Sequence, residues 1–136
     1  MLVDLVSINW WAVLLATIVA YAIGAVWYAP PVFGKRWMAA LGKSGEQLGD
    51  PAKLRAAQFF LTLVIASVLA AVVVRFGAVT WIEGAAIGFV LSAGFVGTSL
   101  LSDWMSCSFN MRLYWMQIGY RLVCVTAMGA ILGAWR

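Results

Sequence analysis

Tyr114, Gln117 and Arg121 stand three and four residues apart, a spacing that places all three on one face of a helix. A phenol, an amide and a guanidinium in such a row could hold an anion or a lipid headgroup. They could equally satisfy bare carbonyls at the end of a neighbouring helix. Ser99, Ser102, Asp103 and, further away, Gln58 are the polar residues placed to meet them. The first reading of Arg121 is a structural bond to a carboxylate or to helix-end carbonyls. A pocket for an anion or headgroup is the second, and contact with another subunit the third.

Catalysis finds less to work with. The chain has no histidine, and a nucleophile needs a base within reach. The remaining bases are Asp103 and Glu83, and the one pairing is Asp103 with Cys107, a spacing of four that a short connection produces by accident. Two cysteines and five acids, dispersed along the chain, leave no metal-site spacing. The absence of histidine also removes the usual axial ligand of haem. The expectation is a protein that is not an enzyme, with no cofactor, no metal, and Cys107 and Cys124 as free thiols.

The elements that must carry these side chains follow from composition. The chain of 136 residues is 65% hydrophobic and 10% charged, with a mean hydropathy of +0.97. Soluble domains carry about 25% charged residues, so there is too little polar side chain here to cover a water-facing surface. A helix needs roughly 20 apolar residues to cross a hydrocarbon core of about 30 Å. Runs at about 8–28, 56–75, 82–102 and 112–135 meet that need. No basic segment precedes the first run, which argues against a cleaved leader. The predicted fold is all-α: one membrane domain over 1–136, a four-transmembrane-helix bundle. Arg121 falls nine residues past Arg112, about 13 Å along a helix. That is near the midplane, where arginine costs at least ~2.5 kcal/mol unless it is paired or snorkels.

The first connection has its own structure. Phe33, Trp37, Met38 and Leu41 recur at helical spacing, with Lys35 and Arg36 on the other side and Gly42 placed to cap. This predicts a short amphipathic helix, Val32–Leu41, lying in the interface between the first two spans. Asp50 before Pro51 predicts the start of the next helix. Trp27 and Tyr28 read as anchors at headgroup depth, Pro30 and Pro31 as the end of the span, and Lys35, Arg36 and Trp37 as contacts to lipid. Asn9 and Trp10 read as anchors on the opposite side. Glu83 and Arg75 read as a surface pair.

Charge sets the orientation. Lys35, Arg36, Lys43, Lys53, Arg55 and Arg112 flank one side of the bundle, and Arg75 and Arg136 the other. Basic residues favour the cytoplasmic side, so both termini are expected outside the cytoplasm. The net charge of +4 lies beside apolar segments, which fits anionic lipid and not nucleic acid. Small residues repeat every four positions at Ala12, Ala16, Ala20 and Gly24, at Gly84 and Gly88, and at Gly129 and Gly133. Close backbone approach through such residues drives helix association in lipid. Packing within the bundle is the plain reading, and a subunit interface the sharper one.

The stretches "INWWAV" (8–13), "GAVWYAP" (24–30) and "FGKRWMAALG" (33–42) resemble a bacterial membrane family, domain of unknown function number seventeen sixty-one. "GAAIGF" (84–89), "GY" (119–120) and "MGAILGAW" (128–135) continue the likeness. The resemblance implies fold and location and transfers no activity. The expected function is therefore that of a non-enzymatic membrane protein acting by helix–helix association. It would be a homo-oligomer or an accessory subunit of a larger complex, with lipids and other membrane subunits as partners. The alternative is a small transporter or channel, or a lipid-binding protein with a cytoplasm-facing polar pocket around Arg121. An enzyme acting on lipid through Asp103 or Tyr114 ranks last.

Overall fold

A computed structural model describes residues 5–42, 49–108 and 110–136; Lys43 and the side chain of Leu41 lie outside them. Every regular element among the described residues is helical. Four helices are long and apolar enough to cross a membrane: Trp10–Trp27, Pro51–Phe76, Trp81–Cys107 and Met111–Ala134. This is the build of a multi-pass membrane protein, with four spans that overlap the four apolar runs of the sequence.

Helix α1 (Trp10–Trp27) starts on Asn9, whose side-chain oxygen accepts from the Trp11 and Ala12 amides at 3.1 and 3.2 Å. The sequence reading gave Asn9 an anchoring role, and the structure gives it the capping one that its residue type favours. A π-helical turn, Pro30–Gly34, and helix α2 (Lys35–Leu41) follow. The expected amphipathic helix is therefore shorter at its start, because the two prolines open a wide turn instead of ending the chain direction. Proline pushes the preceding residue to extended backbone, and Ala29 is there at φ −65°, ψ 144°. The Gly34 amide then closes a five-residue loop on the Ala29 carbonyl at 3.0 Å. Only glycine fits at this position, since a Cβ on Gly34 would collide with the Tyr28 carbonyl oxygen and lie 2.9 Å from the Ala29 carbonyl carbon.

Helix α3 (Pro51–Phe76) begins as its sequence signal predicts, with the Asp50 carboxylate accepting from the Ala52 amide at 3.0 Å. It ends on Gly77 at φ 71°. The third span consists of α4 (Trp81–Leu91), a π-helical segment Ser92–Gly97, and α5 (Thr98–Cys107). Glu83 does not pair with Arg75. Its carboxylate accepts from the Val79 and Thr80 amides at 2.8 and 3.1 Å, while Thr80 Oγ1 accepts from the Glu83 amide at 3.3 Å. This reciprocal cap satisfies amides that a helix start leaves bare, and it takes the carboxylate away from the arginine.

The last span, α6 (Met111–Ala134), is the axis of the bundle. Of its most apolar window 44% is buried, against 28% or less for each of the other three spans. Its tightest partner is α4. A Cβ on Gly84 or Gly129 would strike the carbonyl oxygen of the other, and one on Gly133 would lie 3.0 Å from the Gly84 Cα. A Cβ on Gly88 would strike the Val125 carbonyl. The two backbones thus touch directly, which is how helices associate when both sides of the alternative are hydrocarbon. The alanine stripe of α1 also packs inward: Ala12, Ala16 and Ala20 are buried in one core with Ala66, Leu69, Ala70 and Val73 of α3 and Cys124, Val125, Met128 and Leu132 of α6. Gly24 meets the Tyr120 ring.

Candidate functional site at the basic end of the bundle

The polar residues singled out in the sequence do not assemble into one pocket. Tyr114 turns inward and donates its hydroxyl to the Gly97 carbonyl at 3.2 Å, with its ring edge-on to Trp104 at 5.6 Å. Gln117 is half-buried one turn on. Arg121, also half-buried, lies with its guanidinium carbon 5.7 Å from the centre of the Tyr120 ring. Gln58, Ser99 and Asp103 are exposed. Cys107 is exposed and Cys124 buried, and both are free thiols.

The cause is the π-helical segment. Gly84, Gly88 and Ser92 are buried at four-residue steps. Continued as a plain α-helix, that face runs through 95 or 96 and 99 to 103, which would bring Ser99 and Asp103 inward. The observed next step is five residues, to Gly97, and the inward face then reaches Trp104. One extra residue in the turn rotates everything after it, so Trp104 faces in and Asp103 faces out. The wide turn is held by Thr98, whose hydroxyl donates to the Gly94 carbonyl, and by Tyr114 on Gly97.

At the end where α1 leaves the bundle, aromatic rings form a packed knot. Trp27 lies on Phe33 at 4.8 Å and beside Tyr120 at 6.5 Å. Tyr28 meets Tyr120 at 5.2 Å and Trp37 at 5.4 Å, both edge-on. Centroid spacings of 4.5–7 Å are those of favourable ring pairs. Rings expected to anchor in lipid thus also clamp the π turn and α2 onto α1 and α6. The indole nitrogens of Trp27 and Trp37 are buried with no hydrogen-bond partner among the described residues.

Beside this knot lies a cleft of about 660 Å³ between α2 and the start of α6. Phe33, Arg36, Ala39 and Ala40 form one wall. Asn110, Arg112, Trp115 and Met116 form the other. Asn110 caps α6 by accepting from the Arg112 amide at 3.0 Å, which fixes where the Arg112 side chain begins. Two arginines, placed by different elements, line one cavity. The sequence reading counted Arg36 and Arg112 only toward orientation. What could have joined them was their common side of the bundle, one on the short amphipathic helix and the other at the mouth of the last span.

A family model matches residues 11–133, described as protein of unknown function, DUF1761. The chain belongs to the DUF1761 family. The match takes in nearly the whole of all four spans, the proline turn and the cleft, and it agrees with the family resemblance seen in the sequence. No curated protein and no solved structure matches this DUF1761 chain. Among its described residues no three of Cys, Asp and Glu come together as a metal-binding group.

Proposed function

We propose that this DUF1761 protein is a non-catalytic multi-pass protein that acts by association within the bilayer, as a homo-oligomer or as an accessory subunit of a larger membrane complex. The observation that carries the reading is how unevenly the bundle is packed. Its end near the termini is closed by alanine and glycine seams. At the basic end every residue from Pro51 to Gln58 is exposed, and in α5 only Trp104 is buried. Two helical ends rich in polar groups, Lys53, Arg55 and Gln58 on one and Ser99, Ser102 and Asp103 on the other, stand ready for a neighbour. The small-residue stripes lie inside the chain, so the partner surface is these ends and not the glycine faces. The proposed setting is a bacterial inner membrane, with the basic end in the cytoplasm, as the lysine and arginine bias supports.

Extraction in mild detergent followed by native mass measurement tests the reading. Assemblies larger than one chain plus lipid are expected, and Lys53→Glu with Arg55→Glu should break them up. A strictly monomeric particle, from native membranes as well as after overexpression, rules the reading out. A transporter needs a polar path through the bundle, and the cavity near Asn9 and Trp135 is too small to form one. The lipid-binding alternative is favoured by one observation, the cleft between Arg36 and Arg112.

A further inference from the structure

We infer that the cleft between α2 and α6 is a binding site for the phosphate-bearing headgroup of an anionic phospholipid, held between Arg36 and Arg112. Three features of the cavity point to it. The first is charge: two arginines from separate elements face one cavity, and no carboxylate among the described residues pairs with either. Like charges brought to one cavity repel, an anion between them relieves that repulsion, and guanidinium is the side chain whose fork of donors matches phosphate. The second is polarity along the cleft. Arg112 stands at the second residue of α6, with Trp115 and Met116 one turn deeper and Phe33 opposite. A charged rim over an apolar, aromatic floor fits a phosphate joined to glycerol and acyl chain, whereas a free phosphate would leave the floor unfilled. The third is size. About 660 Å³ is in the range of sites for organic molecules, roughly 300–1,000 Å³, and far more than an inorganic ion occupies.

Tryptophan favours the headgroup level, and Trp115, on the cleft wall, is 65% exposed. The site stands whether or not the protein has a protein partner, so its test is separate from the one above.

The test uses the full chain purified in detergent and titrated with phosphatidylglycerol or phosphatidylcholine, with bound lipid counted by native mass spectrometry. Phosphatidylglycerol should be retained at least tenfold better. Arg36→Gln and Arg112→Gln should each reduce that preference about fivefold or more. Arg75→Gln, exposed at the opposite end of the bundle, should leave it unchanged. Ala39→Trp fills the cavity without touching either charge and should also lower retention, with thermal unfolding of every variant followed to confirm the fold. Equal retention of the two lipids overturns the inference, as does a loss in Arg75→Gln equal to that in Arg112→Gln. Two further outcomes overturn it. One is displacement of the lipid by millimolar glycerol phosphate with the same Arg36 and Arg112 dependence, which assigns the site to a soluble phosphate. The other is dependence of oligomer mass, but not lipid retention, on the two arginines, which assigns it to an acidic protein segment.

Discussion

At the residue scale, the sharpest demands come from positions where backbone meets backbone. Gly84→Ala drives a methyl into the Gly129 carbonyl, and neither backbone can yield without parting the two helices. Overpacking of this kind costs about 1–3 kcal/mol or more, so the melting temperature in detergent should fall by several degrees. Gly94→Ala is the control, because a Cβ there meets nothing within 4 Å; alanine in a helix is favoured over glycine by roughly 0.5–1 kcal/mol, and melting should be unchanged or higher. Ser92 provides a second contrast. It is fully buried and its hydroxyl has no partner among the described residues. An unmade bond to a buried group carries a penalty, so Ser92→Ala should stabilise the fold, whereas Asn9→Ala, which strips a cap from α1, should cost about 1 kcal/mol.

At the element scale, the sequence shows which segments are helices and hides how one of them turns. The spans follow from long apolar runs, and the start of α3 from Asp50–Pro51, because those signals depend only on local composition and on caps. The step of five in Ser92–Gly97 depends on tertiary contact: Tyr114 of α6 takes the Gly97 carbonyl, and Gly88 locks α4 against Val125. Ser-Ala-Gly-Phe-Val-Gly permits such a turn without announcing it. Without the step, Ser99 and Asp103 belong to the inward face, and the polar cluster drawn around Arg121 follows from that error of rotation. In a background with Cys107 and Cys124 replaced by serine, cysteine at position 103 should react quickly with a soluble maleimide and cysteine at 104 slowly. The reverse order would show an unbroken α-helix. Tyr114→Phe, which frees the Gly97 carbonyl, should narrow that difference in rate.

At the scale of the whole molecule, the amphipathic helix and the last span were both legible, but the cleft between them was not. Its walls are far apart in the chain, and nothing local in Arg36 or Arg112 says that α2 folds back over α6. The aromatic knot explains the fold-back, since Trp27, Tyr28, Phe33, Trp37 and Tyr120 join all four elements concerned. Orientation is open to direct measurement with the native thiols, Cys107 being exposed at the basic end and Cys124 buried. An impermeant thiol reagent added to intact spheroplasts should leave the protein unlabelled and should label it once the membrane is opened. Labelling of intact spheroplasts would place the basic end outside.

The central place of α6 bears on how the chain is made. A ribosome delivers the spans in order, and the one that binds most of the others comes out last. Until it arrives, α4 has a bare strip of peptide where its main neighbour belongs, and α1 has only α3 to lean on. The nascent bundle therefore waits in the membrane half-assembled, and a message cut short before Met111 leaves α1, α3 and α4 without their keystone.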